Sequence, residues 1–237
     1  MNRPKTLLRQ LVTAAILTLA ATTAVACGTE EKPLTIDEMR NIFADKTLPA
    51  PASPWSNMAP VGDDSACATS ESAMVDVPAR SALEPQLRLP EPQGWTRFTQ
   101  LDSELIRYAL VNRSLIAEQF APNIVITIEA APPGDAQTVY GQAQQNLTRI
   151  AGAKDMSTEA VTVCGLPAEK LQFRTPSMGA PGPDQHVQAL QILTTSGTQP
   201  YLVTATVQTK DPDNPTYQRD AGLLLTGLQV LAPTTNQ

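Results

Sequence analysis

Apolar and polar residues alternate most cleanly from Asn123 to Ala130. Ile124, Ile126 and Ile128 fall on one face and Asn123, Val125, Thr127 and Glu129 on the other, the pattern of a strand with one buried side. Leu105 to Asn112 precedes it as a hairpin partner. Leu171 and Phe173 alternate with Lys170, Gln172 and Arg174, which leaves one face wet. Val187 to Thr194 and Tyr201 to Gln208 are more evenly apolar and β-branched, as central strands are, and the Ser196-Gly197-Thr198 turn between them makes an antiparallel pair. Two segments change period to 3.6. Asp135 to Ala151 places Val139, Ala143, Leu147 and Ile150 on one stripe, with Asp135 as N-cap and Gly152 as stop. Pro215 to about Leu231 places Tyr217, Ala221, Leu224, Leu228 and Leu231 on another, with Asn214 as cap and Pro215 at the first helical position. Strands, helix, strands, helix in that order predict an α+β fold, an antiparallel β-sheet flanked by helices. No internal repeat is visible.

Upstream the pattern weakens. Leu34 to Lys46 carries Ile36, Met39, Ile42 and Phe43 at helical spacing, with Thr35 as N-cap and Glu38 three positions on. This is a docking helix or a transient one in a flexible arm. Pro49, Pro51, Pro54, Pro60, Pro78, Pro85, Pro90 and Pro92 follow, a density that blocks helix and interior strand alike. Residues 47–75 read as an extended linker or an arm lying on the domain. The expected organisation is a signal peptide at 1–26, a tether with the short helix and proline-rich arm at 27–73, an α+β domain at 74–233 and a tail at 234–237.

The amino end explains why the chain starts basic and then turns acidic. Arg3, Lys5 and Arg9 precede sixteen residues without a charge, Leu11 to Ala26, too short and too rich in Ala and Thr for a spanning helix but right for a signal peptide. Ala24-Val25-Ala26-Cys27 resembles the bacterial lipobox, in which the cysteine sulfur takes a diacylglyceryl group before cleavage. The alternative is an ordinary cleaved signal with an incidental Cys27. Two acyl chains suffice for stable anchoring. The whole chain has 17 basic and 23 acidic residues, net −6; the first 26 residues hold three of the basic ones and none of the acidic, so the mature chain is 14 − 23 = −9. Such a domain is repelled by anionic lipid and stands off the membrane on its tether. The same charge makes nucleic acid an improbable partner.

Chemistry is thin. With Cys27 given to lipid, Cys67 and Cys164 remain, and outside the cytoplasm an even remainder points to a disulfide that pins the arm to the strand near Val163. Two unpaired thiols are the alternative. One histidine, His186, cannot build a multi-histidine metal site, and no CxxC, GxSxG, SxxK, HExxH or glycine-rich phosphate loop is present. His186, with Asp184 two residues away, reads as a loop-end residue before a strand rather than a general base. Asp211-Pro212-Asp213-Asn214 has oxygens calcium would accept but lacks an EF-hand's glycine and distal glutamate, and reads as a turn and helix cap. No metal, cofactor or catalytic residue is expected.

Leu89-Pro90-Glu91-Pro92-Gln93-Gly94-Trp95, together with the lipobox-like Cys27, the proline-rich arm, Pro122-Asn123-Ile124-Val125, Gly165-Leu166-Pro167-Ala168, Tyr201-Leu202-Val203 and the helix at Thr35-Ile36, resembles the LpqN/LpqT family of mycobacterial lipoproteins, which includes a proline-rich antigen. The resemblance implies a PsbP/Mog1-like fold and an extracytoplasmic, lipid-anchored place in the cell envelope. It further implies roles in envelope lipid transport beside a membrane exporter or in contact with host proteins, and brings no catalytic residues. The expected function is therefore non-enzymatic: a binding or accessory module for an envelope glycolipid or for a lipid exporter, the ligand lying between the sheet and a helix. The alternative is a surface lipoprotein that binds host or envelope proteins through its arm and sheet edge. Trp95, Phe98 and Tyr108 are candidates for a pocket edge, or else cap the core beneath the arm.

Overall fold

The structure is a computed structural model that describes residues 64–132, 134–177 and 182–232. The signal peptide expected at 1–26, Cys27, the helix expected at 34–46, most of the proline-rich arm and the tail expected at 234–237 lie outside the described residues.

The isoleucine strand is β5, Asn123–Ala130, and it lies near the middle of a seven-stranded antiparallel sheet. Its partners are β4 (Ile106–Val111) on one side and β9 (Gln199–Thr209) on the other; β9 pairs with β8 (Gln185–Ser196), β8 with β7 (Leu166–Thr175) and β7 with β6 (Lys154–Val163). The two-residue β3 (Thr96–Arg97) closes the β4 edge. Gly197, at φ +60°, supplies the positive φ that the tight β8–β9 turn requires. A second, three-stranded sheet places β2 (Gln86–Pro90) between β1 (Met74–Val77) and β10 (Gln229–Leu231), all antiparallel. The fold is thus α+β, as the element order predicts.

Register sorts the large sheet into two faces. Ile124, Ile126 and Ile128 stand opposite Val207, Ala205 and Val203, which stand opposite Gln188, Leu190 and Ile192. This face is covered by α2, Pro215–Thr226, and by the small sheet. Tyr217, Ala221, Leu224 and Leu225 of the helix, and Val77, Leu87, Leu89 and Val230 of the small sheet, are buried with the isoleucines in one cluster. Asn214 accepts the Thr216 and Tyr217 backbone N–H groups at 3.0 and 3.1 Å and starts α2 as expected. The other face carries α1, Ala136–Ile150, whose N-cap Asp135 accepts the Thr138 N–H at 2.7 Å. That bond holds the Asp135 carboxyl below its usual pKa.

Three departures from the sequence pattern have physical causes. The last helix does not reach Leu231: it ends at Thr226, because Gly227 packs against Pro90 and the chain turns into β10. The proline-rich region carries β1 and β2, Pro90 being tolerated as the terminal residue of its strand. β6 is a strand despite lacking apolar alternation, because it is the sheet's outer edge and most of its residues are exposed. Cys67 and Cys164 are joined by a disulfide, S–S 2.02 Å, across 97 residues of sequence. Cys164 and Gly165 form the β6–β7 turn with φ of +50° and +78°, the pair of positive φ values a type I′ hairpin needs.

Candidate functional site

α1 turns Val139, Tyr140, Ala143 and Leu147 toward the sheet. A single helix is narrower than seven strands, so its lateral position decides what stays open. Tyr140 fixes it. The β7–β8 ladder is in register to Ala168 opposite Ile192, and the next residue of β7 is Pro167, which has no N–H to give. The Tyr140 hydroxyl fills that defect, accepting the Leu193 N–H at 3.0 Å and donating to the Pro167 carbonyl at 3.0 Å. Burial pushes its pKa up to about 12, although the Leu193 bond pulls the other way. Four residues on, Gln144 donates to Glu169 on β7 at 2.7 Å. α1 is therefore seated over β7 and β8, while Val125 and Thr127 of β5 and Thr204 and Thr206 of β9 remain half-buried.

An open-sided groove of about 360 Å³ runs between the helix and this uncovered half of the sheet. Its apolar wall is Leu105, Val139, Ala143, Leu147, Ile150 and Leu202. Its floor is polar. Thr127 on β5 pairs with Thr204 on β9, which pairs with Gln191 on β8, so three polar side chains form one cross-strand row along the groove floor. Gln191 is 3% exposed, and its Oε1 has no hydrogen-bond partner among the described residues. Glu129 lies on the same face two residues beyond Thr127, and its carboxyl pKa is raised by desolvation. Although Glu129 reaches solvent at the rim, no Lys, Arg or His shares the lining with it.

The aromatic candidates lie elsewhere. Trp95 is buried and donates its indole N–H to the buried Asp220 carboxylate of α2 at 2.9 Å, a carboxylate that Arg219 also holds. Tyr108 pairs with Ile126 and shares its face, with the Arg97 guanidinium 4.1 Å over its ring. Burial raises the Tyr108 pKa, helped by Glu91 and opposed by Arg97. Trp95 and Tyr108 belong to one core cluster, on the side of the sheet opposite the groove, and Phe98 is half-buried beyond β3. His186 is paired in the sheet between Arg174 and Thr209. Among the described residues no group of His, Cys, Asp and Glu is placed to hold a metal ion. Thr127 and Glu129 were present in the sequence as the polar face of β5; what the sequence did not show is that a helix passes beside them and closes one side of a groove.

No protein family model matches the chain, and no curated protein matches it by sequence. Solved structures do. LpqN of Mycobacterium tuberculosis, described as involved in cell envelope biogenesis, superposes with a TM-score of 0.54 at 17% identity, over 67% of this chain and 91% of LpqN. The cyanobacterial PsbP of Synechocystis gives 0.44 at 16% identity over 67% of this chain and 93% of its own. The Saccharomyces cerevisiae Ran-binding protein Mog1p gives 0.44 at 10% over 68% of this chain and 97% of its own. At such identities the likeness to LpqN establishes a shared fold.

Proposed function

We propose that this chain is a non-enzymatic lipoprotein of the LpqN/LpqT kind, anchored in the cell envelope through a diacylglyceryl group on Cys27. In this reading it holds an envelope lipid or glycolipid in the α1 groove as an accessory to lipid transport, beside a membrane exporter. The observation that carries it is the groove: a mostly apolar wall over a polar floor, open along one side, suits an amphiphile with one buried chain. Its volume lies at the low end of the ~300–1,000 Å³ typical of ligand sites, enough for one chain or a small head and not for a whole two-chain lipid. The described role of LpqN in envelope biogenesis supports the location, and the lipobox-like sequence before Cys27 supports the anchor.

Extraction and mass spectrometry of natively purified full-length protein test both parts. The expected result is acylated Cys27 and a co-purifying amphiphile. Protein that carries no amphiphile and cannot be loaded with one overturns the binding role. Fatty-acid labelling that survives Cys27→Ala overturns the anchor.

A further inference from the structure

On the helix side of the groove Gln142 and Asn146 carry amides that donate or accept, whereas the polar groups of the sheet side lean toward acceptors. Gln191 brings a buried amide oxygen without a donor among the described residues, and an unsatisfied buried acceptor of that sort is costly. Such atoms are few in native proteins and call for an explanation. Glu129 brings the one ionisable side chain of the lining, with no cation beside it, in surroundings that desolvate it. Thr127 and Thr204 can donate or accept, so they adapt to whatever the other two require. Both fixed groups therefore ask for the same thing, a donor, and the carboxylate repels a like charge.

We infer that the groove selects amphiphiles whose polar end carries N–H or O–H donors and no negative charge, with that end over the Thr127–Thr204–Gln191 row beside Glu129 and the apolar part along Leu105, Leu147 and Ile150. The inference rests on the amphiphile-binding reading above and adds the chemistry of the head and its orientation. Glu129 is the specificity residue: it disfavours phosphate, sulfate and carboxylate heads at a site where no Lys or Arg compensates. Gln191 is the positioning acceptor for a donor on any accepted head.

A chain-matched series tests this: dodecylamine, dodecyl glucoside and dodecyl phosphate, each below its micelle concentration, titrated into the full chain and followed by calorimetry. The amine and the glucoside should bind at least tenfold more tightly than the phosphate. Glu129→Lys, a change at an exposed rim position, should close or invert that gap, and Gln191→Leu should weaken both accepted heads about fivefold. Melting curves of the variants establish that each is folded. A loss on Glu129→Gln confined to dodecylamine identifies an ammonium head as the better fit; equal losses for amine and glucoside identify hydroxyl donors as sufficient. Equal binding of all three heads overturns the selectivity and leaves the groove reading standing. So does a head preference unchanged by Glu129→Lys. Failure of all three to bind overturns both.

Discussion

Tyr140→Phe isolates the contact that seats α1. The substitution removes one oxygen from a side chain that is 8% exposed and keeps the ring, the helix and the groove wall. It leaves two backbone groups without their partner. The Leu193 N–H belongs to a residue 1% exposed, and a stranded buried donor costs ~1–3 kcal/mol. The Pro167 carbonyl belongs to an exposed residue and can turn to water, so its loss adds little. The expected destabilisation is ~2 kcal/mol, which lowers Tm by ~4–8 °C for a domain of this size. The pH dependence gives a second readout. The folded state holds the phenolic proton up to about pH 12, against an ordinary tyrosine value of 10.0. The stabilisation is therefore complete below pH 10 and is lost as pH rises from 10 through 12, amounting to roughly 2–3 kcal/mol. Phenylalanine has no such proton. Urea unfolding followed by far-UV circular dichroism, from pH 7 to 11.5, should show the wild type losing its advantage over the variant across that window. Tyr217, whose pKa burial also raises, contributes equally to both proteins and cancels in the difference. Equal midpoints at pH 7, or a difference that does not shrink above pH 10, would refute the account of Tyr140 as a plug in the β7–β8 ladder.

Three other outcomes follow from the packing. Ala143→Trp fills the groove from the helix side and should weaken dodecylamine binding more than tenfold with Tm retained; unchanged affinity in calorimetry removes the groove as the binding site. A Cβ at Gly227 would stand 2.5 Å from Pro90 Cγ and 2.9 Å from the Leu223 carbonyl oxygen, so Gly227→Ala should cost ~1–3 kcal/mol by overpacking, read as a lower urea midpoint. Cys67→Ser should lower stability by ~2–4 kcal/mol, because the bridge closes a loop of nearly a hundred residues; reductant should destabilise the wild type and leave the variant unchanged.

The sequence pattern is most readable where burial is one-sided or complete. β5 has the bounds its alternation predicts, β8 and β9 extend the predicted runs by one to two residues at each end, and Asp135 and Asn214 cap the helices they were expected to cap. β6 is unreadable for the converse reason, since an edge strand facing water on most of its length has no apolar period to display. The last helix is overrun because Leu228 continues its stripe although it is buried outside the helix, and Val230 and Leu231 belong to β10. The site is harder still. Thr127 and Glu129 look like a solvent face, and nothing local distinguishes a face left to water from one that a helix half covers. Only the register that aligns Thr127, Thr204 and Gln191, together with the proline that draws Tyr140 to the other side, creates the groove. Trp95 and Tyr108 attract notice as scarce aromatics, yet Tyr108 is buried by parity, standing on the Ile126 side, and Trp95 by its bond to the buried Asp220.

The outer strand has a consequence for how such domains behave when crowded. β6 presents a ten-residue row of backbone groups at the open border of the large sheet, the kind of border on which another chain can grow a strand. Its beginning is spoiled for that purpose. Between the Lys154–Arg174 and Ser157–Gln172 pairs, Asp155 and Met156 stand against Phe173 alone, Asp155 has φ +52°, and its carboxylate is held by Arg174. The bulge twists the row out of line, and the charges that flank it, with Glu159 further along, would be stranded in any continuous ribbon. Copies of the domain brought close together therefore meet a broken edge at the start of β6, which disfavours growth of one sheet onto another.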